Sequence, residues 1–126
     1  MTSKPICGVD STPHKLPSGL VVCLLADIPD GRGRMFSFPL ECGEFRLLVL
    51  RSGATCFGYE NRCPHFGIPL AARDDQLILS SHVSVSCNAH YARFRWVDGY
   101  CEKGDCEGES LIPVALVVRD GQVCLA

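Results

Sequence analysis

Two short stretches of this chain each carry one cysteine and one histidine, and any fold that uses them together must bring them face to face. Cys63 and His65 stand two positions apart; Cys87 and His90 stand three apart. Each stretch offers one thiolate and one imidazole, so two facing loops supply two sulfurs and two nitrogens to a common metal centre. A zinc finger places its two cysteines first and its two histidines last. Here a mixed pair is repeated instead. Zinc and an iron–sulfur cluster are both compatible with these donors. A binuclear [2Fe–2S] cluster, with two histidines replacing two cysteines on one iron, fits the repeated mixed pair better. Acid-labile sulfide and a visible charge-transfer spectrum separate the two readings.

The rest of the pattern predicts β structure. Apolar runs are short and bounded by turn residues, and none sustains a 3.6-residue period over three turns. Strand candidates are Leu20–Leu25, Met35–Leu40, Phe45–Leu50, Ala54–Tyr59, Leu77–Leu79, Val83–Val85, Arg93–Val97, Ile112–Val118 and Gln122–Leu125. Asp120-Gly121 between the last two is the clearest hairpin signal, because Asp-Gly suits the two-residue turns that match strand twist. Strands of three to seven residues predict an all-β domain closed as a sandwich or small barrel. Residues 1–19, broken by Pro5, Pro13 and Pro17, are expected to form an irregular segment, with one domain over 20–126.

Composition excludes several classes. Lys and Arg number 12 against 14 Asp and Glu, a formal charge of −2, whereas a phosphate-backbone binder carries a basic surplus. No nucleic-acid partner is expected. The longest uninterrupted apolar run, Leu20–Ala26, is seven residues, far below the ~20 needed to span a bilayer. No basic stretch leading into a long apolar one opens the chain, so neither a secretory leader nor a membrane partner is expected. The nine cysteines are an odd number that cannot all pair within one chain. Cys23, Cys42, Cys56 and Cys124 lie in or beside apolar runs and read as small hydrophobes. These readings together predict a cytoplasmic protein.

Cys63-Pro64-His65 followed by Cys87-Asn88-Ala89-His90 resembles the Rieske motif, Cys-x-His then Cys-x-x-His. Asn61-Arg62 before the first pair and Phe66-Gly67-Ile68-Pro69-Leu70 after it agree. Cys23 to Gly31 resembles the first strand and turn of soluble Rieske-type ferredoxins, and Leu111 to Val123 resembles their closing hairpin. The resemblance covers roughly residues 20 to 125. It implies an all-β Rieske-type iron–sulfur fold, a β-sandwich base carrying a small cluster-binding subdomain with the two loops at its tip. It also implies one [2Fe–2S] cluster as cofactor, with Cys63 and Cys87 on the inner iron and His65 and His90 on the outer iron through Nδ1. Pro64, Gly67 and Pro69 then shape the loops so that amides point at sulfur.

The Rieske proteins of respiratory and photosynthetic complexes carry an extra disulfide-linked cysteine in each loop, where this chain has Ile68 and Ala89. They also place a serine and a tyrosine near the cluster, where this chain has Ala92 and Phe94. Fewer hydrogen bonds to sulfur mean a lower potential, which points to the low-potential ferredoxin-like branch. Soluble relatives usually cover the cluster with a Gly-Pro element, whereas this chain reads Gly104-Asp105-Cys106-Glu107-Gly108. Cys101 and Cys106 can approach one another across that segment, and the acidic residues from Glu102 to Glu109 can orient a basic partner.

A binuclear cluster changes by one electron, and no second iron site or nucleotide-binding Gly-rich run accompanies it here. The expected role is a one-electron carrier between a flavin-dependent ferredoxin reductase and a terminal oxygenase, both docking transiently. In that role the chain is expected to be an electron-transfer component of a multicomponent oxygenase rather than a stand-alone enzyme. An accessory Rieske-like subunit of another redox enzyme, such as assimilatory nitrite reductase, and a non-redox binding module are the alternatives.

Overall fold

The computed structural model describes residues 17–40, 43–64, 69–71, 73–87, 92–104 and 106–126. Its strands are β1 (Val21–Leu24), β2 (Gly33–Leu40), β3 (Gly43–Ser52), β4 (Thr55–Glu60), β5 (Ile78–Ser80), β6 (Ser84–Ser86), β7 (Arg93–Arg95), β8 (Cys101–Lys103), β9 (Pro113–Val114), β10 (Leu116–Arg119) and β11 (Gln122–Leu125). Two single-turn 3-10 segments, Leu25–Asp27 and Asp74–Gln76, are the only helical turns among the described residues. None of the described residues forms a helix long and apolar enough to cross a membrane.

The strands form three antiparallel sheets, ordered β1-β11-β10, β2-β3-β4-β9 and β5-β6-β7-β8. The middle sheet is packed on both faces, and β3 explains how. Leu47, Leu48, Val49 and Leu50 are all fully buried. Successive strand residues point to opposite faces, so an unbroken apolar run marks a strand covered on both sides. Leu47 and Val49, with Phe45, pack into one core with Val123 and Leu125 of β11. Leu48 and Leu50 pack into the other with Val85, Phe94 and Trp96. The first core closes the β-sandwich base. The second seats the small β5–β8 sheet on the base's other face.

That subdomain is one insertion between neighbouring strands. The chain leaves the middle sheet after Glu60 and returns at Pro113, and β9 pairs directly with β4. Pro113 lacks an amide hydrogen and β9 is an edge strand, where that deficit is tolerated. The Tyr59 hydroxyl crosses the junction, donating to the Trp96 carbonyl at 2.6 Å inside the core. A second tie is exposed: His82, at φ 67 in the β5–β6 turn, sets Nδ1 2.8 Å from Ser52 Oγ at the end of β3.

Most expected strands appear within two residues, with two corrections. Ile112–Val118 is not one strand but two, β9 in the middle sheet and β10 in the β1-β11-β10 sheet. Exposed Ala115 lies between them, where the chain changes sheets, and its carbonyl accepts from the Ala126 amide at 3.0 Å. The Gly99–Gly108 segment, where the sequence suggests no strand, contains β8, paired with β7 through Phe94 and Cys101. The Asp120-Gly121 hairpin is as expected. Both residues sit at positive φ, 53 and 76, between the paired Arg119 and Gln122, the backbone of a type I′ turn.

Candidate metal centre

The two cysteines of the mixed pairs lie at the bases of two loops. Cys63 follows β4 by three residues, and Cys87 follows β6 directly. Both are fully buried and belong to one core, with Leu48, Leu70, Val85, Phe94 and Trp96 around them. His65 and His90 lie outside the described residues, as do Phe66, Ile68, Ala89 and Tyr91. Among the described residues no group of three or more His, Cys, Asp and Glu side chains forms a metal cage. Buried thiols on two separate loops form the soft donor set that suits an iron–sulfur centre, so the residues described fit a [2Fe–2S] cluster.

Each loop is closed at its base by a specific hydrogen bond. In the first, buried Asn61 uses its Oδ1 to accept from the Leu70 amide at 2.9 Å, tying the two ends together across nine positions. Its Nδ2 donates to Met35 Sδ at 3.0 Å, and its own amide donates to the Arg46 carbonyl at 2.8 Å. The side chain is therefore fixed by β2 and β3 before it fixes the loop. Arg62 lies over the strand end, its Nε 2.9 Å from the buried Glu60 Oε1. In the second loop, the Cys87 amide donates to the Ala92 carbonyl at 2.8 Å, continuing the β6–β7 ladder by one rung.

A third segment contributes to the same wall. β8 and the turn after it bring Cys101 and Cys106 together, with their Sγ atoms 3.2 Å apart and both side chains fully buried in the core that holds Cys63 and Cys87. Burial pushes the Cys106 thiol far up, and hydrogen bonding to Cys101 and then to Cys63 pushes the same way. Its neighbour Gly104 approaches closely for a reason: a Cβ there would stand 2.8 Å from Ala92 Cα, and its φ of 112 disfavours any side chain. Cys106 thus shares one buried core with Cys63, a neighbourhood the sequence does not announce. Asn61 is the other residue whose part in the site emerges only here, although an asparagine immediately before Arg62-Cys63 is a usable signal for a loop clamp.

Ala92 and Phe94 are fully buried beside the thiols. The acidic segment is less uniform than its sequence suggests. Glu102 is paired with Arg93 across β7 and β8 at 3.0 Å, Glu107 and Glu109 are exposed, and Asp105 lies outside the described residues. Of the four cysteines read as small hydrophobes, Cys124 is buried, while Cys23 and Cys56 are half-buried in the base core. Burial, then Asp27 and Cys56, pushes the Cys23 thiol up to about 11. Cys42 lies outside the described residues.

Residues 18–119 match the Rieske [2Fe-2S] domain family. No curated protein matches the sequence. Among solved structures, the ferredoxin of carbazole 1,9a-dioxygenase from Nocardioides aromaticivorans IC177 superposes with a TM-score of 0.68 at 19% identity, covering 87% of this chain and 98% of that one. A chain from the complex of reduced oxygenase and oxidised ferredoxin in carbazole 1,9a-dioxygenase gives 0.67 at 22% identity, covering 85% and 91%. The terminal oxygenase of carbazole 1,9a-dioxygenase from Novosphingobium sp. KA1 gives 0.66 at 21% identity over 86% of this chain and 30% of that one. At these identities the superpositions establish a shared fold, seen both in a chain of similar length and as part of a larger one. With the family match spanning most of its length, and its β-sandwich base and inserted β5–β8 subdomain in place, this chain belongs to the Rieske [2Fe–2S] domain family.

Proposed function

We propose that the protein is a one-electron carrier whose single [2Fe–2S] cluster is held by Cys63 and Cys87 on one iron and by His65 and His90 on the other. The observation that carries this reading is the burial of Cys63 and Cys87 at the bases of two clamped loops, in one core, in a chain of the Rieske family. When bound, the cluster supplies a centre that changes by one electron without rearranging the protein. The chain's own residues do the rest. Asn61 and the Cys87 amide each close one loop at its base, so Cys63 and Cys87 are positioned before the metal arrives. Leu70, Phe94 and Trp96 exclude water from the thiol side.

The electron passes from a flavin-dependent reductase to a terminal oxygenase in this proposal. Support for the acceptor comes from the similarity to a ferredoxin of carbazole 1,9a-dioxygenase and to a chain of a ferredoxin–oxygenase complex. The donor rests on the chemistry of a one-electron shuttle alone, because flavins release electrons singly. Reductive titration with dithionite under argon tests the reading. Protein carrying two irons and two labile sulfides should take up one electron per chain and return it to ferricyanide with the visible spectrum restored. A chain that holds zinc without sulfide, or takes up no electron, contradicts it.

A further inference from the structure

Cys101 and Cys106 take no part in holding the cluster as proposed, yet they meet in the wall beside Cys63 with their sulfurs 3.2 Å apart. We propose that they are a reversible oxidation site, a dithiol that closes to an intrachain disulfide. The geometry favours that pairing over any other. A disulfide bond is about 2.05 Å long, so the two sulfurs need to close by roughly 1.2 Å, within reach of small side-chain rotations. Backbone hydrogen bonds hold the flanking residues: the Cys101 amide donates to the Glu109 carbonyl at 2.8 Å, the Glu107 amide to the Gly104 carbonyl at 3.1 Å, and the Glu109 amide to the Cys106 carbonyl at 2.9 Å. Both sulfurs are buried, while Gly104, Glu107, Gly108 and Glu109 beside them are exposed, so a local opening of this turn admits a small reagent.

The oxidant is a low-molecular-weight disulfide of the glutathione type. Cys101 Sγ, its proton passing to solvent, attacks a reagent sulfur, the reagent S–S bond breaks, and one reagent thiol leaves. The second protein thiol then attacks the mixed disulfide, forming the Cys101–Cys106 bond and releasing the second reagent thiol. The protein loses two electrons and two protons, the reagent gains both, and no metal takes part.

Holoprotein equilibrated anaerobically across ratios of oxidised to reduced glutathione, then alkylated and digested with trypsin, tests this pairing. Lys103 separates the two cysteines, so the disulfide joins peptide 96–103 to peptide 104–119 at a mass two hydrogens below their sum. The expected result is that this linked pair grows with oxidant and vanishes on reduction while the visible spectrum persists. Cys101→Ser should remove the linkage. Peptides alkylated equally at every ratio overturn the proposal, as does a Cys63–Cys106 linkage accompanied by bleaching. Iron and sulfide counts on each sample report separately on the cluster reading, because the linkage is read from peptide mass.

Discussion

Asn61 fixes the first loop through three partners drawn from three parts of the chain: the Arg46 carbonyl, Met35 Sδ and the Leu70 amide. Replacing it by alanine leaves the Leu70 amide buried without its acceptor, a cost of about 1–3 kcal/mol. Asn61→Ala should therefore lower the thermal midpoint and speed cluster loss to a chelator, both followed by visible absorbance. Gly104 carries a different constraint. Gly104→Ala forces a Cβ against Ala92 Cα at 2.8 Å from a backbone at positive φ. Ala92 supplies the carbonyl that closes the second loop, so this variant should destabilise by about 1–3 kcal/mol in chemical denaturation and shift the cluster's circular dichroism. At this scale the sequence was legible where chemistry is written in residue type. Cys63 and Cys87 stand out by their histidine neighbours. Asn61 does not, because its partners come from distant strands and no local spacing brings those together.

The elements show the same division. The Asp120-Gly121 hairpin could be read because its turn depends on two adjacent residues. The split of Ile112–Val118 into β9 and β10 could not, because which sheet a residue joins is decided by tertiary pairing. β8 was hidden for a related reason: Cys101-Glu102-Lys103 has weak strand character, and its pairing with β7 holds it extended. The tie between the base and the inserted sheet is the Tyr59 hydroxyl on the Trp96 carbonyl. Burial, with a smaller contribution from Asp98, pushes the Tyr59 phenol up from 10.0 to about 12. A raised pKa means that the fold prefers the neutral phenol. Its contribution to stability is complete below pH 10 and is lost as pH rises toward about 12. Urea denaturation should show stability falling across that window. Tyr59→Phe should remove part of this fall and cost about 1 kcal/mol at neutral pH, the usual worth of one hydrogen bond.

On the scale of the whole molecule, a base with its own core carries the inserted subdomain through β3, whose alternate residues serve both cores. The electron-carrier reading needs only that the two loops stay fixed on that support while the centre changes charge. The net charge of −2 and the surface ion pairs Arg93–Glu102, Arg46–Glu44 and Arg34–Asp74 leave little single-sign field. Docking to redox partners should therefore depend weakly on salt. As proposed, a [2Fe–2S] cluster sits between the two loops with two imidazoles on one iron. Pulsed electron–nuclear double resonance on dithionite-reduced protein, labelled with nitrogen-15 in histidine alone, tests that ligand set. A low average g value and two coupled histidine nitrogens are expected, each lost in turn in His65→Ala and His90→Ala unless the cluster itself is lost. A reduced cluster with no coupled histidine nitrogen, or coupling that survives both substitutions, would contradict it.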